Sequence, residues 1–198
     1  VSRPRGDHRA RREAIADTAA QLIATRGLDQ VTLRSVAAAL GVTTGVLTHY
    51  FPSKDALLRH TKNRAFDRSF ARASAAAVGP PGMERVHAVV AAVLPLDAER
   101  RQLWRLLVAF YGSAVGSPAR RRGQERRMNR WYALYREAVA PLRETGEIPG
   151  DADVARIGTA LALFVEGLAI HVVMTSPTAS AEWQESFARE QVRRLVTG

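Results

Sequence analysis

The sequence predicts an all-α protein of about nine helices, with a small helix-turn-helix head and a larger helical body behind it. Three observations carry this. Apolar residues recur at three- and four-residue spacing through most of the 198 residues. Glycines, prolines and capping Ser, Thr or Asp residues punctuate the chain at helix-length intervals. No segment alternates apolar and polar residues as a half-buried strand would, and there are no internal repeats.

The first helix is expected over residues 9–26, with Ile15, Ala19, Leu22 and Ile23 on its apolar face and Gly27 ending it. Thr32 caps a short second helix carrying Val36, Ala37 and Leu40, which Gly41 terminates. Thr43 can cap the third helix, residues 44–51, with Val46, Leu47 and Tyr50 as its inward stripe. Pro52 stops it and Ser53 caps the fourth, which runs to about residue 77 on Leu57, Leu58, Thr61, Ala65 and Phe66. Gly79-Pro80-Pro81-Gly82 breaks that helix. Residues 83–94 form the fifth, closed by Pro95. Asp97 caps a sixth to residue 115. Ser117-Pro118 opens a seventh, which ends near residue 143 before Gly146 and Pro149-Gly150. The eighth spans residues 151–175, Ser176-Pro177 breaks it, and Ser180 caps the ninth, to about residue 195.

The stretch TLRSVAAALGVTTGVLTHYFPSK, residues 32–54, organises the rest. Two short helices about a glycine-containing turn make a helix-turn-helix, whose second helix lies in a DNA major groove. A head of about 60 residues buries little apolar surface alone. The fourth helix is therefore expected to be shared between head and body, dividing the chain at residues 1–62 and 63–198.

From Leu33 to Leu58 the sequence LRSVAAALGVTTGVLTHYFPSKDALL resembles the TetR (tetracycline-repressor) family of transcriptional regulators. The family usually has Tyr where this chain has Thr48. Further on, LPLDAERRQLWRLLVAFYG and FVEGLAIHVV are similar to the subgroup typified by the choline-responsive repressor of betaine synthesis. The resemblance implies a homodimeric repressor that binds a palindromic double-stranded operator and is released by a small-molecule effector. It also implies that the first helix braces the helix-turn-helix.

Composition agrees. A net charge of +10 favours a polyanionic partner, though charge alone does not separate nucleic acid from acidic lipid. Lys54 and Lys62 are the only lysines, and part of the arginine excess can reflect genomic base composition. No cysteine is present, which excludes disulfides and thiolate metal sites. Val1 to Ala20 has no apolar core of a signal peptide. The apolar run of residues 157–174 carries Glu166 and His171, so it reads as a buried helix in a cytoplasmic protein rather than a membrane span.

For DNA, the candidates are Thr32, Arg34, Thr43, Thr44, Gly45, Thr48, His49, Tyr50 and Lys54. Hydroxyls can bond phosphates or base edges, and a threonine methyl can pack on a thymine methyl. Gly45 permits close backbone approach, and Lys54 beside the amides of a helix start makes a phosphate site. Residues 1–12, with five arginines, are either a solvated tail or a DNA-touching arm. The cluster Arg120, Arg121, Arg122, Arg126, Arg127 and Arg130 reads as a solvated, partly ion-paired face, with a second anionic-partner site as the alternative.

For a ligand, Trp104, Phe110, Tyr111, Met128, Trp131, Tyr135 and Phe164 could line a cavity in the body, with Glu166, His171 and His87 as its polar groups. Aromatic faces with one carboxylate suit an organic cation. The plain alternative is core packing. Small residues on the eighth helix (Gly158, Ala160, Ala162, Gly167, Ala169) beside larger apolar ones, with Trp183, Phe187, Val192 and Leu195 on the ninth, suit a two-subunit four-helix contact; the alternative is a monomer core. No phosphate loop, nucleophile elbow or His-x-x-x-His pair supports catalysis, and no cofactor or metal is expected. The competing functional reading is an architectural DNA-binding protein without an effector.

Overall fold

The computed structural model describes residues 5–115, 118–175 and 179–198. Among them are nine α-helices and no strand. The first, α1 (Arg5–Arg26), buries Ile15, Ala16, Ala19, Leu22 and Ile23 and ends at Gly27 with φ +83°. It begins earlier than expected, so residues 5–12 are helix rather than an arm preceding it; residues 1–4 lie outside the described set.

Thr32 starts α2 (Leu33–Ala39) with a reciprocal cap: its hydroxyl accepts from Ser35 N at 3.0 Å, and Thr32 N donates to Ser35 Oγ at 2.9 Å. Gly41, at φ +67°, turns the chain, and α3 (Thr44–Tyr50) follows. Thr43 occupies the cap position, but its hydroxyl makes no capping bond. Leu47 and Tyr50 of α3 face inward, whereas Val46 is 41% exposed. The expected inward stripe is thus corrected: with about 100° per residue, Leu47 takes the core position and turns Val46 out. Ser53 Oγ accepts from Ala56 N at 3.1 Å and opens α4 (Lys54–Ala76).

The body comprises α5 (Met83–Val93), α6 (Ala98–Val115), α7 (Pro118–Val139), α8 (Val154–Thr175) and α9 (Ala181–Thr197). Asp97 Oδ1 caps α6 through Arg100 N at 2.7 Å, and Ser180 caps α9 through Trp183 N at 3.1 Å. The expected long seventh helix tightens into a 3-10 turn over Ala140–Arg143, because Pro141 has no N–H to continue the α ladder. The eighth begins at Val154 rather than residue 151, since Asp153 Oδ1 caps Ala155 N and Arg156 N at 3.1 and 3.0 Å. Ser117 and the Ser176-Pro177 break lie outside the described residues.

One continuous core joins head and body. Along α4, Leu57, Leu58 and Thr61 are buried near its start, and Ala65, Phe66, Ser69 and Ala73 further on. A second tie was not foreseen. Helix α1 packs on α6 as well as on α4. Charges span the seam: Arg64 makes a two-point contact with Asp17 at 3.2 Å, and Arg68 lies 3.7 Å from Asp17 and 2.7 Å from Glu99. Helix α8, of mean hydropathy 1.9, is the one helix among the described residues long and apolar enough to cross a membrane. It packs along α7 instead, burying Ile157, Leu161, Val165, Leu168 and Val172. Gly158 brings the two backbones together, because a Cβ there would stand 2.8 Å from Arg136 N.

Candidate nucleic-acid interface and small-molecule cavity

Helix α3 and its cap residue Thr43 present Thr43, Thr44, Gly45, Val46, Thr48 and His49 to solvent, a set of hydroxyls with one apolar side chain and one imidazole. Sequence reasoning missed Val46, which extends the set with methyl groups suited to a thymine methyl. Thr48 Oγ1 donates back to Gly45 O at 3.0 Å, leaving its lone pairs free to accept. Thr32 spends its hydroxyl on the α2 cap, beside the exposed Arg34.

Tyr50 is placed differently from the rest. Its ring is 9% exposed and packs against His8 and His49, with centroids 4.9 and 5.2 Å away. It supports the α3 surface rather than extending it. Behind it, the Arg12 guanidinium sits 4.6 Å over the buried Phe51 ring. Lys54 is half-buried in the first turn of α4, its Nζ 3.5 Å from Asp29 O. It flanks α3 on the same side of the head as the free amides that open α4.

In the body, Trp104, Tyr111, Met128, Trp131, Tyr135 and Glu166 come together around a small cavity of about 30 Å³, partly open to solvent, which must widen to admit anything much larger than a water. Trp104 Nε1 donates to Val93 O at 2.8 Å, which fixes the indole. Trp131 meets Phe66 and Phe70 edge to face at 5.9 and 5.2 Å and stacks on Tyr135 at 6.1 Å. The Tyr111 hydroxyl bonds the Glu166 carboxylate. Burial, then the Glu166 charge, push both Tyr111 and Tyr135 far above the usual phenol range, so both keep their protons. The Tyr135 hydroxyl is buried with no hydrogen-bond partner.

Three expected lining residues stand elsewhere. Phe110 is buried under Lys62, whose Nζ lies 5.4 Å from the ring centroid. Phe164 packs on Phe187 at 6.1 Å on the outer side of α8. His171 is exposed and contacts the Thr175 hydroxyl. His87, also proposed for the cavity, contacts Glu84 and Arg189 between α5 and α9. Conversely, Phe66 and Ser69 of α4 line the cavity and were not anticipated. Their spacing of three on the face beyond Leu58 was the available signal.

The arginine cluster is partly ion-paired. Arg130 sits 3.3 Å from Asp67 and 4.1 Å over the Phe70 ring, and Arg127 donates to Asn63 Oδ1 at 2.6 Å. Both therefore clasp α4, whereas Arg121, Arg122 and Arg126 are exposed. The side chain of Arg120 lies outside the described residues. Among the described residues no group of three or more acidic, His or Cys side chains could hold a metal.

A helix-turn-helix head joined through a shared helix to a helical body with a lined cavity is the build of a DNA-binding regulator. Comparison with known proteins makes the class specific. Residues 82–197 match the family described as BetI-type transcriptional repressor, C-terminal, and residues 15–61 match bacterial regulatory proteins, tetR family. The chain belongs to the TetR family of transcriptional regulators, with a BetI-type C-terminal domain. This is a family of regulators rather than enzymes.

Among relatives, the HTH-type transcriptional regulator BetI of Paraburkholderia phymatum is 30% identical over 167 residues, covering 82% of this chain and 81% of that protein. BetI of Burkholderia mallei is 26% identical over 195 residues, 96% of each. Among solved structures, a transcriptional regulator from Saccharomonospora viridis in complex with choline has a TM-score of 0.83 at 24% identity, covering 93% of this chain and 96% of that one. A regulator from Rhodococcus sp. RHA1 has a TM-score of 0.78 at 23% identity, covering 93% and 95%. At these identities the solved structures establish the shared fold.

Proposed function

We propose that this protein is a homodimeric repressor that holds a palindromic operator of about 15–30 base pairs and releases it when an organic cation fills the body cavity. One observation carries the effector class: Glu166 lines the same cavity as Trp104, Tyr111, Trp131 and Tyr135. A carboxylate within an aromatic wall favours an ammonium centre over a neutral or anionic molecule. The choline bound to the Saccharomonospora viridis regulator, and the BetI relatives, favour a choline-like compound.

The wall contributed by α4 supplies the coupling. Phe66 and Ser69 face the cavity, and the start of the same helix carries Leu57 and Leu58 into the head core. An effector that widens the cavity displaces α4 and with it α3. Only the difference in its affinity for the two states counts, and about 1–3 kcal/mol changes operator affinity roughly 5- to 150-fold. The rival reading, an architectural DNA-binding protein without an effector, leaves the carboxylate in an aromatic cavity without a role.

For the dimer, Leu163 and Met174 of α8 and Trp183 of α9 are 56%, 67% and 47% exposed. Trp183 stacks on Phe187 at 5.2 Å, and Phe187 reaches Phe164, so the apolar strip is continuous. Such a strip fits a subunit contact through α8 and α9, leaving one α3 per subunit for each half-site. Val192, 0% exposed, belongs to the subunit's own core and not to that contact. The protein would act in the cytoplasm, on the DNA it regulates.

Calorimetry with choline, with and without operator, tests the scheme. Operator should weaken choline binding by the factor by which choline weakens operator binding. Glu166→Gln should weaken choline at least tenfold and leave operator affinity of the free protein within about twofold, since a near-contact charge pair is worth a few kcal/mol at an effective dielectric near 20. Equal choline affinity in both titrations rules the coupling out.

A further inference from the structure

We propose that the Tyr135 hydroxyl reads an oxygen on the effector, so that the cavity takes ammonium compounds bearing a hydroxyl or carbonyl oxygen and discriminates against alkylammonium ions without one. This rests on the cavity being a cation site and adds a second recognition element to it.

Tyr135 is 1% exposed, and its hydroxyl is a buried donor without an acceptor. A buried hydroxyl normally finds a partner, because leaving it unpaired costs the full desolvation of the group. The Glu166 carboxylate, which bonds the Tyr111 hydroxyl, borders the same space but does not accept from Tyr135. The two phenols therefore divide the polar work of the cavity. Tyr111 holds the carboxylate in place for the ammonium, and Tyr135 keeps its proton for something that is not protein. Its ionisation is suppressed by burial and by the Glu166 charge, so across the physiological range it can donate.

The donor is also held still. Its ring stacks on Trp131 with planes 29° apart, and the following peptide, at Arg136, is pinned by the close approach of Gly158, where a Cβ would meet Arg136 N at 2.8 Å. A fixed donor loses little freedom on binding and tolerates little displacement of its acceptor. Both Tyr135 and Glu166 border one small space. The effector oxygen must accordingly lie within a few bonds of the cationic nitrogen. A site that has committed a buried donor rejects a ligand lacking the matching acceptor far more strongly than an apolar wall rejects a change of size.

The test compares choline with trimethyl(propyl)ammonium, in which a methyl replaces the hydroxyl, on wild type and Tyr135→Phe by calorimetry. Wild type should bind choline about 10- to 100-fold tighter than the propyl compound. Tyr135→Phe should close that gap to about twofold by weakening choline alone. Equal wild-type affinities overturn the proposal, and so does a variant that weakens both probes alike, which would make Tyr135 only a wall. Wild type binding neither probe at millimolar concentration overturns the cation reading beneath it. Thermal unfolding of the free proteins adds an independent readout. Removing a partnerless hydroxyl should leave the Tyr135→Phe midpoint unchanged or raised, whereas a clear fall would show that the hydroxyl already has a partner and overturn the inference.

Discussion

Gly158→Ala perturbs the cavity without touching anything that faces it. The added Cβ would lie 2.8 Å from Arg136 N and 3.1 Å from Arg136 Cα, where ordinary contact begins near 3.4 Å, so α7 must retreat by about 0.6 Å. Two effects oppose each other. Alanine gains about 0.8–1 kcal/mol of helix propensity over glycine. Overpacking costs about 1–3 kcal/mol, and the upper part of that range applies here because the obstacle is the backbone of a long helix and no rotamer can yield. The net loss is about 1–2 kcal/mol, or a fall in midpoint of roughly 2–8 °C for a chain of this size. Gly123→Ala on α7 is the control. Its Cβ would meet the flexible guanidinium ends of Arg127 and Arg126 at 3.6 and 4.0 Å, ordinary contacts, so propensity should win and the midpoint should rise. Because Arg136 adjoins Tyr135, Gly158→Ala should also weaken choline several-fold. Differential scanning calorimetry and choline titration measure the two effects. A Gly158→Ala midpoint at or above wild type would refute the steric argument, and a lowered midpoint with unchanged choline affinity would refute the link to the cavity.

Lys54→Ala should weaken binding to all DNA sequences and reduce the salt slope by about one unit, as for one lost phosphate contact; an altered ranking of operator variants with an unchanged slope would reassign it to base reading. Val46→Ala should change preference at a thymine-bearing position and leave the salt slope alone, measured by competition among operator variants; uniform weakening would count against a methyl contact. His60 is held below its ordinary value by burial and by Arg12 and Arg64, so the unfolded chain binds the proton more readily and stability should fall as pH drops below about 6.5. In His60→Gln that part of the decline should vanish, and equal denaturation-midpoint shifts for both proteins between pH 7.5 and 5.5 would exclude His60 as its source.

Helix starts were legible because capping is local. Thr32, Ser53, Asp97 and Ser180 each accept the backbone N–H that their position calls for. The orientation of a short helix was not. Val46 and Leu47 are adjacent and equally apolar, and seven residues do not fix which one the core takes. The cavity shows the same limit at larger scale. Residue type found Trp104, Tyr111, Met128, Trp131, Tyr135 and Glu166, but Phe110 and Phe164 are each one residue from a lining position and rotate away by about 100°. Phe66 and Ser69 escaped notice because periodicity marks a face as buried without saying whether packed atoms or an empty space lies opposite.

Helix α4 has the proportions of a rocking beam. Phe66, at the cavity, lies twelve residues beyond Lys54, on the proposed DNA face. At 1.5 Å per residue the two ends of that arm are about 18 Å apart. A tilt of about 5° pivoting at Phe66 swings the helix start by about 1.6 Å, close to half of the 3.4 Å rise between base pairs. The beam multiplies a motion at the cavity that few side chains would register into a misfit that a groove-bound helix cannot absorb. In the proposed scheme a small effector therefore needs to do very little at its own end.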